Sequence, residues 1–235
     1  MPDPLYVIPD IHGHKAKLER ALSLINADGG GPVVFLGDYV DRGPDSCGVL
    51  QILVDGVESG QDWTLIRGNH DQMMMDTLIL LRDHPHAARA DIHWLSYNSG
   101  GRETLLSYGV DPDDPADDIL SAIPSAHQDL LADTKLWHQT PDLLFAHAGI
   151  RPGVALSDQT CKDLMWIREP FLSDTSDHGS LVVHGHSPVQ FPEHHGNRIA
   201  LDGGAGWGRP LRVAVFEGRA CWLLEEDGRH PLSRD

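Results

Sequence analysis

Basic side chains are scarce in this sequence: 18 Lys and Arg stand against 35 Asp and Glu, for a formal net charge of −17. That balance argues against a broad nucleic-acid surface or an anionic-membrane face, because both need a basic track. A small anionic substrate stays open, since bound cations and a few arginines invert the potential locally. Cysteine is scarcer still. Cys47, Cys161 and Cys221 are odd in number, far apart and without a CxxC pair, so they do not read as a disulfide framework and suit a reducing compartment. No run of about 18 apolar residues exists to span a bilayer, and Met1-Pro2-Asp3-Pro4 lacks the basic, then apolar pattern of a leader. Repeats, low-complexity blocks and flexible linkers are missing too. These absences leave a soluble, cytoplasmic chain with no membrane partner, expected to form a single domain over 1–235. Its 40% of apolar residues suffice for a substantial core.

What is present is organised around Phe35-Leu36-Gly37-Asp38-Tyr39-Val40-Asp41-Arg42-Gly43. An apolar strand over 32–36 stops at a glycine and delivers two carboxylates and an arginine within five residues. Charged residues are rarely buried without partners, so this concentration at a strand end invites a functional reading. Strands at 5–9 and 63–66 also end in polar clusters: Asp10 and His12, then Asn69 and His70. Between them, Leu18, Ala21, Leu22 and Ile25 predict a helix over 14–26. Val49, Ile52, Leu53 and Val57 predict another over 45–57, and a third carries residues 73–81. This alternation predicts a βαβαβ unit with a largely parallel sheet. Residues 83–141 read as an insert of helices and loops beside the site, with Ser125-Ala126-His127-Gln128 as a capping box. Strands resume at 143–146 and 181–183, ending at His147 and at His184-Gly185-His186. Further strands over 198–201, 211–216 and 220–224, the last two joined as a hairpin, are expected to give a second sheet packed on the first.

The polar strand ends supply Asp10, His12, Asp38, Asn69, His147 and His186. Carboxylates, imidazoles and one amide oxygen suit manganese, iron or zinc better than the all-oxygen cages of calcium or magnesium. Six ligands exceed the needs of one tetrahedral metal, and Asp38 can bridge two. His184, His14 and the His194-His195 pair read as structural or surface groups, and Met73-Met74-Met75 as helix packing.

In Asp10-Ile11-His12-Gly13, Gly37-Asp38-Tyr39-Val40-Asp41-Arg42-Gly43, Gly68-Asn69-His70-Asp71, His147-Ala148-Gly149 and Gly185-His186-Ser187-Pro188 the chain resembles the calcineurin-like metallophosphoesterases. Within them it is similar to the phosphoprotein phosphatase family, over roughly residues 5–215. The resemblance implies an α/β fold in which two mixed sheets pack as a sandwich with flanking helices. It implies two divalent metal ions, manganese first, with iron or zinc as alternatives. One would be held by Asp10, His12 and Asp38, the other by Asp38, Asn69, His147 and His186. A hydroxide bridging them would attack phosphorus directly in line. His70 would protonate the leaving oxygen, Asp41 would accept its other ring proton, and Arg42 and Arg168 would bind phosphate oxygens.

Three positions depart from the family pattern. Pro9 stands where glycine usually opens the first motif, so the loop carrying Asp10 is expected to differ slightly. Asp71 replaces the common glutamate, as in many bacterial relatives. Pro188 replaces a histidine frequent in the wider superfamily, leaving the first metal three protein ligands. The intact Asp41-Arg42 pair implies a serine/threonine protein phosphatase acting on phosphorylated protein or a small phosphoester. Two alternatives are a symmetrical bis(5'-nucleosyl)-tetraphosphate hydrolase, whose members usually lack the aspartate matching Asp41, and a non-catalytic phosphoprotein-binding module.

Overall fold

The computed structural model describes residues 4–234; Met1, Pro2 and Asp3 of the stretch read for a leader lie outside them. In chain order come β1 (Leu5–Ile8), α1 (Lys15–Ala27), β2 (Val33–Phe35), α2 (Ser46–Glu58), β3 (Trp63–Leu65) and α3 (Asn69–Asp83). The three strands are parallel, with Val7 opposite Val34 and Phe35 opposite Leu65. Because strand side chains alternate, Tyr6 and Ile8 face the helices while Val7 faces the other way. Leu18, Ala21 and Ile25 of α1 and Val49 and Leu53 of α2 are buried as the sequence spacing predicts, but in α2 Leu50 and Val54 complete the buried face while Val57 is exposed. Asp45 caps α2 by accepting from Gly48 N at 2.7 Å.

The second sheet contains β4 (Trp137–Gln139), β5 (Leu143–Ala146), β6 (Leu181–His184), β7 (Glu193–His194) and β8 (Arg198–Ala200), in the order β4-β5-β6-β8-β7. Val7, Val34, Leu36, Phe145, Val183, Ile199 and Phe216 form the core between the sheets. The outer face of the second sheet packs Leu144, Ala146 and Val182 against Leu164 of α7 (Cys161–Trp166) and against Phe171. Helices thus flank a two-sheet sandwich.

Four expectations need correction. Strands β9 (Val213–Glu217), β10 (Ala220–Glu225) and β11 (Gly228–Pro231) join the first sheet, not the second, in the order β11-β10-β9-β1-β2-β3. β9 pairs antiparallel with β1, Leu5 opposite Phe216, which sets Val213 and Val215 under the helices and Ala214 and Phe216 between the sheets. Helix α3 begins at Asn69, so the polar cluster is its first turn, not a loop before it. Residues 83–141 hold α4 (Gly101–Ser107), α5 (Ala116–Ala122) and α6 (Ser125–Ala132) but also β4, which pairs antiparallel with β5. Finally, Ser125 is inside α6 and Pro124 occupies the capping position, so the capping box does not form; Gln128 Nε2 donates to Ile123 O instead.

Candidate metal centre

The C-terminal ends of β1, β2 and β3 meet those of β5, β6 and β8, where an α/β sheet presents its ligands. Among the described residues, the non-glycine residues with positive φ are His12 (48°), Asp38 (53°), Asp41 (78°), Arg42 (67°) and His186 (60°). Every one belongs to the site set read from the sequence. Left-handed backbone at such residues is costly and persists where surrounding bonds enforce it. Here Ile11 N and His12 N both donate to Asp38 O, at 3.0 and 2.8 Å, and Gly13 N donates to Tyr39 O at 2.8 Å. Glycine is required at Gly68, where a Cβ would overlap Asp38 N.

The side chains converge on Asp38. Its two oxygens lie 3.5 Å from His12 Nε2 and 3.5 Å from His147 Nε2. Asn69 Oδ1 lies 3.0 Å from His147 Nε2 and 2.8 Å from His186 Nδ1. The Asp10 carboxylate accepts from His186 N at 3.1 and 3.2 Å. Two groups of ligand atoms each fall within 4.8 Å: His12, Asp38 and His70, and Asp38, His147 and His186. Asp38 is common to both, while the first group contains His70 in place of Asp10.

The donor chemistry fits divalent cations. His12 Nδ1 donates to Val40 O at 2.9 Å and His147 Nδ1 to Leu36 O at 2.8 Å. Each bond fixes the tautomer in which Nε2 carries a lone pair. The His147 lone pair faces Asp38 and Asn69 oxygens, acceptor against acceptor, which a cation resolves; that of His12 faces Asp38 but also meets Arg42 Nη1. Burial lowers the basicity of His12, His147 and His186, the last to about 3, although Asp38 pulls each the other way. Burial opposes ionisation of Asp38, yet the surrounding imidazoles His147, His70, His12 and His186 hold its carboxyl below the usual range. Neutral imidazoles around an ionised carboxylate are the protonation states that metal ligation needs. Asp10 is raised by burial and by Asp202 and Asp38, a crowding of negative charge that asks for positive countercharge.

His70 Nδ1 lies 2.6 Å from Asp41 Oδ2, and Asp41 is fully buried. Burial works against the His70 cation, but Asp38 and Asp41 outweigh it and raise its pKa. Arg42 Nη1 and Nη2 lie 2.6 Å from His12 Nε2 and 2.9 Å from His70 Nε2, and its guanidinium stacks 4.6 Å from the exposed Trp207 ring. Arg168 is exposed and near enough to His186 for its charge to lower the basicity of that ring. His184 is structural: it is buried, bonds the Gly185 carbonyl and packs edge-on against Phe171.

Sequence reading missed four residues at this site. Asp202 is buried, its carboxyl pushed up to about 6, chiefly by burial. It follows β8 and precedes Gly203-Gly204, a strand-end aspartate beside glycine like Gly37-Asp38, so a signal existed. Trp94 and Thr104, which bond Asp41, and Trp207 carry no local signal, since their partners are distant in sequence.

The sequence profile of the Calcineurin-like phosphoesterase family matches residues 4–214. The chain is 27% identical to "Serine/threonine-protein phosphatase 1" of Salmonella typhimurium, with 91% of this chain and 92% of that protein covered. It is 28% identical to a symmetrical bis(5'-nucleosyl)-tetraphosphatase of Paracidovorax citrulli, over 80% of this chain but 59% of that protein's length. Among solved structures, a candidate diadenosine tetraphosphatase superposes with a TM-score of 0.68 at 21% identity, covering 95% of each chain. A cold-active protein-tyrosine phosphatase of a Shewanella species superposes with a TM-score of 0.66 at 15% identity, covering 99% of this chain and 81% of the other. With the family profile spanning most of its length, this chain belongs to the calcineurin-like phosphoesterase family and is a metal-dependent phosphoric ester hydrolase.

Proposed function

We propose that the chain is a dinuclear-metal phosphomonoesterase of the serine/threonine protein phosphatase type. The buried Asp41–His70 hydrogen bond of 2.6 Å, formed beside Arg42, carries this reading. The Salmonella relative, matched over nearly its whole length, supports the same choice by its name. Asp10, His12 and Asp38 hold one divalent ion, and Asp38, Asn69, His147 and His186 the other, with manganese, iron or zinc suited to this donor set. Such ions supply Lewis acidity toward phosphoryl oxygens and make water more acidic.

The protein's own groups do the rest. Asp41 accepts the Nδ1 proton of His70 and, with Asp38, favours the imidazolium, whose Nε2 then carries a second proton for the leaving oxygen. As water adds to phosphorus and the ester P–O bond breaks, the Nε2 proton passes to the leaving serine or threonine oxygen. Arg42 and Arg168 bind equatorial phosphate oxygens and balance the charge that grows on them. The three free cysteines fit a reducing cytoplasm, which belongs to this reading.

The Paracidovorax relative favours a second reading, symmetrical cleavage of a dinucleoside tetraphosphate. Rates of the metal-loaded protein on a phosphoserine peptide and on diadenosine tetraphosphate separate the two. The peptide is expected to be the better substrate, and a reversed order selects the second reading. Asn69→Ala should abolish turnover of both; turnover equal to that of the unmodified protein would remove the metalloenzyme assignment. His70→Asn should cost roughly 10²–10⁴-fold on the phosphopeptide and much less on 4-nitrophenyl phosphate, whose leaving group needs no proton.

A further inference from the structure

We propose that Trp94 and Thr104, in the segment inserted between α3 and β4, are positioning residues that hold Asp41, and through it His70, in the geometry for proton transfer. The inference rests on reading His70 as the proton donor. It gives residues 83–141 a part in catalysis beyond packing.

Asp41 lies out of reach of water, so its lone pairs must be met by protein donors. Trp94 Nε1 lies 2.9 Å from both carboxylate oxygens, Thr104 Oγ1 donates to Oδ1 at 2.8 Å, and His70 bonds Oδ2 at 2.6 Å. Trp94 and Thr104 are themselves buried. Donors from three separate segments fix the plane of the carboxylate, and hence the direction from which it meets the His70 ring. The hydroxyl inventory closes as well. Thr104 gives its single proton to Asp41 Oδ1, so Ser46 Oγ, 3.1 Å away, donates to Thr104. Asp41 N in turn donates to Thr104 Oγ1 at 2.9 Å and to Ser46 Oγ at 3.1 Å.

The backbone is shaped to bring these donors in. Arg42 N donates to Gly100 O at 3.2 Å, tying the left-handed Asp41-Arg42 turn to the start of α4. A Cβ on Gly100 would come 2.5 Å from Arg42 N, and one on Gly101 2.5 Å from the Trp94 ring. Side chains at either position would push α4, and Thr104 with it, off the carboxylate. A packing insert would need only its apolar contacts. Here an indole N–H and a buried hydroxyl are both aimed at the one carboxylate that bonds His70.

Trp94→Phe and Thr104→Val each remove a donor while keeping most of the volume. On the phosphoserine peptide each is expected to lower kcat about tenfold or more with KM changed less than about twofold, and on 4-nitrophenyl phosphate to cost less than about threefold. Thr104→Ser should restore most of the Thr104→Val loss, and neither loss should add fully to that of Asp41→Asn. Should Trp94→Phe fail to fold by thermal melting, the Thr104→Val and Thr104→Ser pair decides alone. If His70→Asn loses equally on both substrates, the assignment of His70 fails and this inference falls with it. If His70→Asn is sensitive to the leaving group while the folded variants lose equally on both substrates, lose nothing, or add fully to Asp41→Asn, the positioning role alone is overturned.

Discussion

Three backbone N–H groups converge on Asp71, those of Asp38, Tyr39 and Gly68, each at 2.9 Å. The carboxylate clamps the turn after β2 onto the first turn of α3, so that Asp38 and Asn69 arrive at one point. Burial and the Asp38 charge push its carboxyl up to about 7, and the three N–H donors pull the other way. In Asp71→Asn, one acceptor oxygen becomes an NH₂ facing an N–H. The variant is expected to lose about 1–3 kcal/mol in urea unfolding, and no measurable loss would dismiss the clamp. From the sequence, Asp71 reads only as a substitute for a family glutamate. Its role is invisible there because two of its three donors lie 33 and 32 residues away. The backbone strain at His12, Asp38, Asp41, Arg42 and His186 is equally unreadable, since none of these is a glycine whose identity announces a positive φ.

At the scale of elements, close approach of α2 to β3 depends on Gly56, where a Cβ would overlap the ring of Trp63. Two effects oppose each other in Gly56→Ala. Helix propensity favours alanine by about 1 kcal/mol, whereas forcing a methyl into a packed contact costs about 1–3 kcal/mol. The clash is with a broad indole, so a net loss is expected in chemical denaturation, with Trp63→Leu recovering part of it in the double variant. A gain from Gly56→Ala alone would refute the close-packing account. Elements of this kind were legible from periodicity: β1, β2, β3, α1 and α2 all formed within a residue or two of expectation. The start of α3 was not, because Asn69, His70 and Asp71 are polar and look like a loop. They are buried in the first helical turn only because the second sheet and the Asp38 turn close over them.

Across the whole molecule, the candidate ligands join the two sheets: His12, Asp38 and Asn69 follow strands of the first, His147 and His186 strands of the second. Cations held between them would bind the folded chain far better than the unfolded one, and so stabilise it by mass action. A chelator should therefore lower Tm, and manganese should raise it again with increasing concentration. Asn69→Ala should shrink that shift, and a Tm insensitive to both treatments would count against a ligand set spanning the sheets. The net charge of −17 gives no hint of this centre. What matters is that Asp10, Asp38 and Asp202 are buried beside one another, with Arg42 close by.

By itself the sequence determined the alternation of strands and helices, the kinds of candidate ligand and the order in which they follow strand ends. Periodicity, turn residues and motif spacing are local, and local pattern survives in a linear text. Tertiary structure alone decided that β9 to β11 return to the first sheet, because β9 pairs with β1 at the other end of the chain and no local pattern records that partner. It alone decided the company of Asp41. Trp94 and Thr104 stand 53 and 63 residues further along, and only the packing of the inserted helices against α2 and α3 brings their donors to that carboxylate.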